Sequence, residues 1–225
     1  MSAVISMVCT DGVVLAADKQ ITVPGYFKYH KTKIDGLEGK GWTVAYAYAG
    51  SPDLMKEATE RIFGKIKPDN PNIDPNMVRA VAETELETMG YRFTEFDLDL
   101  ILVTTTATEI ETVRFAGSRK AFYATTGIEI LGVGESSLLT YLASLLYEQG
   151  KTDISFGVLA ATYMVEKAKE YIDGCGGDTD LLIVKKGNQL DTWSFVDRVA
   201  SYIRMRKAEA TAIRDIVTHG TVPSQ

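Results

Sequence analysis

Apolar positions along the chain alternate between two periods. Ala3–Cys9 (AVISMVC) is an unbroken apolar run rich in β-branched residues, and Val13–Asp18 (VVLAAD) resumes it after the turn signal Thr10-Asp11-Gly12. Residues 3–18 therefore read as a β-hairpin. A loop holding Pro24 and Gly25 follows, then strands at 33–37 and 42–49 joined by the turn Gly39-Lys40-Gly41. At Ser51-Pro52-Asp53 the period changes. Ser suits the N-cap and Pro the first helical position, and Leu54, Met55, Ala58, Ile62 and Ile66 form one apolar stripe. Asp74-Pro75 opens a second helix with Val78, Val81, Ala82, Leu86 and Met89 on one face.

Strand patterns return at 98–106, 110–116, 120–124 and 128–133. Two helices follow. One spans 136–148 and stops before Gly150; the other carries Ile154, Val158, Ala161, Val165, Ala168 and Ile172 at alternating spacings of four and three. Strands at 179–185 and 190–195 turn at Gly187-Asn188, and a last helix covers 196–217, leaving residues 218–225 as a tail. Short turns between strands predict antiparallel sheets. Helices in consecutive pairs do not fit strict β-α-β alternation. The expectation is an α+β chain, one domain over 1–225. Two antiparallel sheets would pack face to face with a helix pair on each outer side, a four-layer αββα sandwich.

Composition narrows the function. Of the 225 residues, 45% are apolar and 24% charged, as in ordinary globular chains, and no apolar run has the ~18 residues a membrane helix needs. The net charge of −6 argues against nucleic acid as a partner. Arg198, Arg204, Arg206, Lys207 and Arg214 on the last helix read as a solvated or subunit-facing side. Two cysteines make no disulfide framework and two histidines no His-rich metal site, so neither a metal nor a cofactor is expected. Asp97-x-Asp99 reads as the polar face of a strand, and Gly132-x-Gly134 lacks the Lys-Ser/Thr of a phosphate loop. With no basic segment at the N-terminus, the expected location is the cytoplasm.

The opening SAVISMVCTDGVVLAADKQIT with KYHKTKI, then AYAYAGSPD, GVGES and DGCGGDTDLLIVKKG, resemble in order the proteasome β-subunits of the N-terminal-nucleophile (Ntn) hydrolase family, over roughly residues 2–195. DGVVLAAD is the most specific of these pieces. The resemblance implies a serine- or threonine-type endopeptidase. The hydroxyl of the first mature residue attacks a carbonyl, and the free α-amine of that residue takes the proton. A lysine held by an aspartate lowers the amine's proton affinity. Carried over, Ser2 is the nucleophile once Met1 is removed, Asp18 the aspartate and Lys33 the lysine. Thr22 and the strand residues Ala47 and Ala49 flank an extended peptide, with the Ala47 backbone N–H as oxyanion donor. Ser136 and Asp173 take supporting positions.

The chain departs from the family pattern in several places. Ser stands where Thr is usual, and Ala47 where active members have Gly. Glu135 takes a supporting serine's place with Ser136 one step on, so Ser136 reads either as a site residue or as the cap of the third helix. Asp173 lies one residue closer to Gly176-Gly177 than the family's aspartate, and Cys175 replaces a serine. No long propeptide is expected before Ser2. The implied substrate is a peptide or unfolded protein, cleaved inside a homo-oligomeric ring, with any unfoldase partner left open. Two other readings stay beside this one: a non-catalytic structural subunit on the same fold, and an amidohydrolase or peptide transferase acting on a smaller substrate.

Overall fold

A computed structural model describes residues 2–23, 27–90, 98–117, 121–132, 137–186, 189–192 and 195–219. The first apolar runs form the hairpin β1 (Ala3–Cys9) and β2 (Gly12–Asp18), closed where Cys9 faces Gly12. A second hairpin, β3 (Gln20–Val23) and β4 (Phe27–His30), stands where the sequence reading places a loop. Each of its strands has only four residues, and β4 is exposed throughout, so neither has the buried apolar run that marks the other strands. β5 (Ile34–Gly39) and β6 (Trp42–Gly50) pair next.

Helix α1 (Pro52–Lys65) starts as its cap signal predicts, with the Ser51 hydroxyl accepting the Leu54 N–H. In α2 (Pro75–Met89) the Asp74 carboxylate accepts the Met77 N–H at 2.8 Å. Four strands follow: β7 (Leu98–Thr106), β8 (Ile110–Ala116), β9 (Ala121–Ala124) and β10 (Ile128–Gly132). Then come α3 (Ser137–Leu146) and α4 (Ile154–Tyr171). The chain goes on through β11 (Thr179–Lys185), β12 (Gln189–Thr192) and α5 (Phe195–His219).

The strands build a five-stranded sheet in the order β10-β1-β2-β11-β12, a second in the order β5-β6-β7-β8-β9, and the two-stranded β3-β4. All pairings among the described residues are antiparallel. Burial falls into three clusters that follow the two periods of the sequence. Val4, Leu15 and Ala17 of the first large sheet meet Ala45, Ile101 and Val103 of the second. The other face of the first sheet packs on Val158, Met164 and Val165 of α4, and that of the second on Ile62, Val78 and Leu86 of α1 and α2.

The α+β class holds, but the expected two-sheet, four-layer Ntn sandwich does not. Three sheets and five helices are described: the β3-β4 sheet is added to the two large ones, and the last helix packs outside the helix pair it follows. α5 lies on α4, where the Tyr163 and Tyr202 rings sit 6.1 Å apart and Lys167 reaches Glu209 at 3.4 Å. The third sheet exists because β3 and β4 leave the large sheets and pair only with each other.

Leu15 has no exposed surface and sits between the large sheets. Leu15→Ala is expected to cost about 2–5 kcal/mol, the usual range for truncating a large core side chain. Urea unfolding should show this as a lower midpoint with an unchanged slope.

Candidate active site

Three segments distant in sequence meet at the start of β1. Asp18, the last residue of β2, is fully buried, and its Oδ1 accepts both the Ala3 N–H at 2.8 Å and the Lys33 ammonium at 2.7 Å. Its Oδ2 accepts the Gly176 N–H at 3.0 Å. One carboxylate thus ties the residue after Ser2, the lysine just before β5 and the turn after α4. A carboxylate with two backbone donors and one ammonium is fully satisfied in the interior, which offsets the cost of burying its charge.

Lys33 is also fully buried, and its ammonium donates a second hydrogen bond to the Gln20 carbonyl at 2.6 Å. Burial pushes its pKa down from the ordinary value of 10.5, and the nearby Asp18 charge opposes that shift. Ser2 is 5% exposed and its carbonyl lies against Gly132 at the end of β10, opposite which Ala3 pairs.

Thr22 on β3 is half-buried; its hydroxyl accepts from Gln20 Nε2 at 3.2 Å and donates to the Gly174 carbonyl at 3.4 Å. Ala47 sits in mid-sheet, with β5 on one side at Ile34 and β7 on the other at Ile101, so neighbouring strands occupy both its edges. The Tyr48 N–H still reaches back, to the Lys33 carbonyl at 3.1 Å. Beyond it, Ala49 pairs with Asp99 of β7 past the start of β5. Ala49 is also the residue whose side chain approaches Gly132 and, through it, Ser2.

Asp173 is exposed in the turn after α4, and the contact from that turn to Asp18 is made by Gly176. Ser136 lies outside the described residues. Cys175 is buried in the same turn, and burial pushes its thiol up to about 12, with Asp18 adding to the effect and Lys33 opposing it. At neutral pH it stays a thiol and lacks the thiolate that a cysteine nucleophile needs. Among the described residues no group of three or more His, Cys, Asp and Glu could hold a metal, and no helix is long and apolar enough to cross a membrane.

Sequence reasoning misses three parts of this arrangement: the Gln20 carbonyl, the Gly176 N–H and Gly132. The first two are main-chain groups, which leave no trace in residue type. Gly132 opens the GVGES segment that the resemblance includes, but its approach to Ser2 leaves no trace in residue type.

The fold is a proteasome-like α+β architecture. Solved structures with that fold include Anbu proteins. Anbu from Pseudomonas aeruginosa, described as a helical assembly, matches with a TM-score of 0.79 at 16% identity, covering 99% of this chain and 98% of that one. A Gly-1 mutant of Anbu from Hyphomicrobium sp. strain MC1 matches at 0.78 and 13% identity, covering 96% and 99%. Anbu from Yersinia bercovieri, described as an ancestral beta-subunit, matches at 0.76 and 12% identity, covering 94% and 97%. No family model matches the chain, and neither does any curated protein. These matches correct the resemblance drawn from the sequence. The three structures named here are Anbu proteins, and at 12–16% identity they carry the fold and not membership of the Ntn hydrolases.

Proposed function

We propose that this chain is a peptidase whose nucleophile is the hydroxyl of Ser2, made available by removal of Met1. The observation that carries the reading is the buried Lys33–Asp18 pair, joined through the Ala3 N–H to the residue beside Ser2. Buried ion pairs are costly to assemble. One built against a chain end with a serine hydroxyl suits chemistry better than packing.

In this reading the Ser2 hydroxyl attacks the scissile carbonyl and its proton passes to the free α-amine of the same residue. The Lys33 ammonium disfavours a second positive charge nearby and so keeps that amine a base near neutrality. A main-chain N–H at the Ala49 end of β6 holds the developing oxyanion. Ala47 does not serve, because the Tyr48 N–H turns to β5 and so the N–H groups of Ala47 and Ala49 both turn to β7; the donor is one on the β5 side past Tyr48. The protonated amine then gives its proton to the leaving amine, and water hydrolyses the ester on Ser2 to release the second product. Thr22 on β3 supports an extended peptide, which would bind as an added strand. Asp173 and Ser136 receive no role here.

A second reading, a structural subunit without activity, is favoured by the low exposure of Ser2, only 5%. Intact mass decides between them. The peptidase requires a chain lacking Met1, covalently labelled at Ser2 by an electrophilic N-terminal-nucleophile inhibitor. A chain that keeps Met1 and takes no label supports the structural subunit. A panel of fluorogenic peptides beside small amides separates a peptidase from an amidohydrolase.

The reading includes a homo-oligomer located in the cytoplasm, which the two unpaired, buried cysteines suit. Light scattering after size exclusion should give a species many times the 24.7 kDa of one chain, and particle images distinguish a closed ring from a helical assembly like that of the Pseudomonas aeruginosa protein. A monomer at every concentration defeats the oligomer.

A further inference from the structure

We propose that Gly132 is a positioning residue for Ser2, an inference that rests on Ser2 being the nucleophile. β10 ends at Gly132, which pairs with Ala3 of β1 and has a φ of +77°. A β-carbon built on Gly132 would stand 2.2 Å from the Ser2 carbonyl oxygen, 3.1 Å from its carbonyl carbon and 3.2 Å from the Ala49 β-carbon. The Ser2 carbonyl thus occupies the space a side chain would take. Gly132 closes one side of the socket that holds the chain end, and the Ala3 N–H bond to Asp18 closes the other.

Two features combine at this glycine, and the chain supplies a control that separates them. Positive φ alone disfavours any side chain. Gly150 has the same backbone conformation, φ +76°, but a β-carbon there would meet nothing within 4 Å. Gly150→Ala therefore carries the backbone strain without the collision, and it lies outside the site. Gly132→Ala carries both. Real β-carbon contacts essentially never fall below 3.0 Å, so residue 132 and the Ser2 carbonyl must part by at least 0.8 Å. Misplacing a reacting group by about 1 Å costs on the order of 10²-fold in rate.

The test compares wild type, Gly132→Ala, Gly132→Asn and Gly150→Ala. Asn tolerates positive φ better than Ala yet keeps the β-carbon, so it tests the collision if Gly132→Ala does not fold. Peptide hydrolysis is measured as kcat and KM separately, and crystal structures of the folded Gly132 variants locate Ser2. The expected result is a kcat lower by about 10²-fold for both Gly132 variants, a KM changed far less, a displaced Ser2 carbonyl, and normal activity in Gly150→Ala. Three results overturn the inference: Ser2 staying in place, Gly132→Asn restoring kcat, or Gly150→Ala losing as much activity as Gly132→Ala. If the wild type cleaves no peptide, the peptidase reading fails by itself, and the position of Ser2 in the variant crystals still decides whether Gly132 sets it.

Discussion

Ser2→Ala is expected to abolish peptide hydrolysis while leaving the fold and the assembly as they are. Losing a nucleophile typically costs on the order of 10⁴–10⁶-fold in kcat, because the remaining groups have nothing to activate. The protein should melt close to the wild type, since Lys33 and Gly176 keep their hydrogen bonds to Asp18, and the bond from Asp18 to this end of β1 is made by the main chain of Ala3. Ser2→Thr keeps the hydroxyl and the amine and should stay active. The measurement is kcat on a fluorogenic peptide beside a melting curve. Full hydrolysis by Ser2→Ala would place the chemistry elsewhere, and the buried thiol of Cys175, pushed up to about 12, is a poor alternative.

The second large effect concerns Lys33 and Asp18, both without exposed surface. Breaking a buried ion pair from one side leaves an uncompensated charge and costs about 3–5 kcal/mol. The two sides are unequal here. Lys33→Met leaves Asp18 with the Ala3 and Gly176 N–H donors. Asp18→Asn leaves the Lys33 ammonium with the Gln20 carbonyl and no facing negative charge from residue 18. Asp18→Asn should therefore be the more destabilising, and the double variant should be more stable than the two single losses added together.

Activity should fall by about 10³-fold in either single variant, within the range of a positioned acid–base group, and hardly further in the double. Lys33→Arg should not restore it, because a planar fork cannot replace a compact ammonium in a closed site. If both singles kept activity, the pair would be a structural element only.

The same lysine gives stability a pH dependence. Burial lowers its pKa in the folded chain below the 10.5 of the unfolded one. Between those two values the unfolded chain binds the extra proton, so stability rises with pH across that window, and Lys33 contributes no slope below it. Urea midpoints taken through the alkaline range should show the rise in the wild type and lose it in Lys33→Met.

Much of the architecture is legible from the sequence because burial leaves a period. The runs at β1, β2, β7 and β11 are nearly continuous apolar strands, and the stripes of α1, α2 and α4 follow the helical repeat. The Ser51 and Asp74 caps mark α1 and α2 to the residue. The β3–β4 hairpin is not legible, since an exposed four-residue strand such as Phe27–His30 has no buried face to impose alternation. The same reason hides the third sheet and, with it, the failure of the four-layer reading. At the site, the family resemblance singles out Asp18 and Lys33, which the chain brings to 2.7 Å. Spacing says nothing about which main-chain N–H of β6 lies beside no strand. That distinction depends on where β5 stops beside β6, a matter of register.

The three donors on Asp18 also set an order of events during synthesis. Ala3 and Lys33 each lie 15 residues from Asp18, but Gly176 lies 158 residues away. A ribosome that has delivered only β1 to α3 has made the hydroxyl, the carboxylate and the ammonium, yet not the turn that completes the carboxylate's shell. In the proposed peptidase, hydrolytic competence would then arrive late, after most of the chain has emerged. An unfinished or truncated chain would carry a blunt version of the site, and the growing polypeptide would be spared its own chemistry.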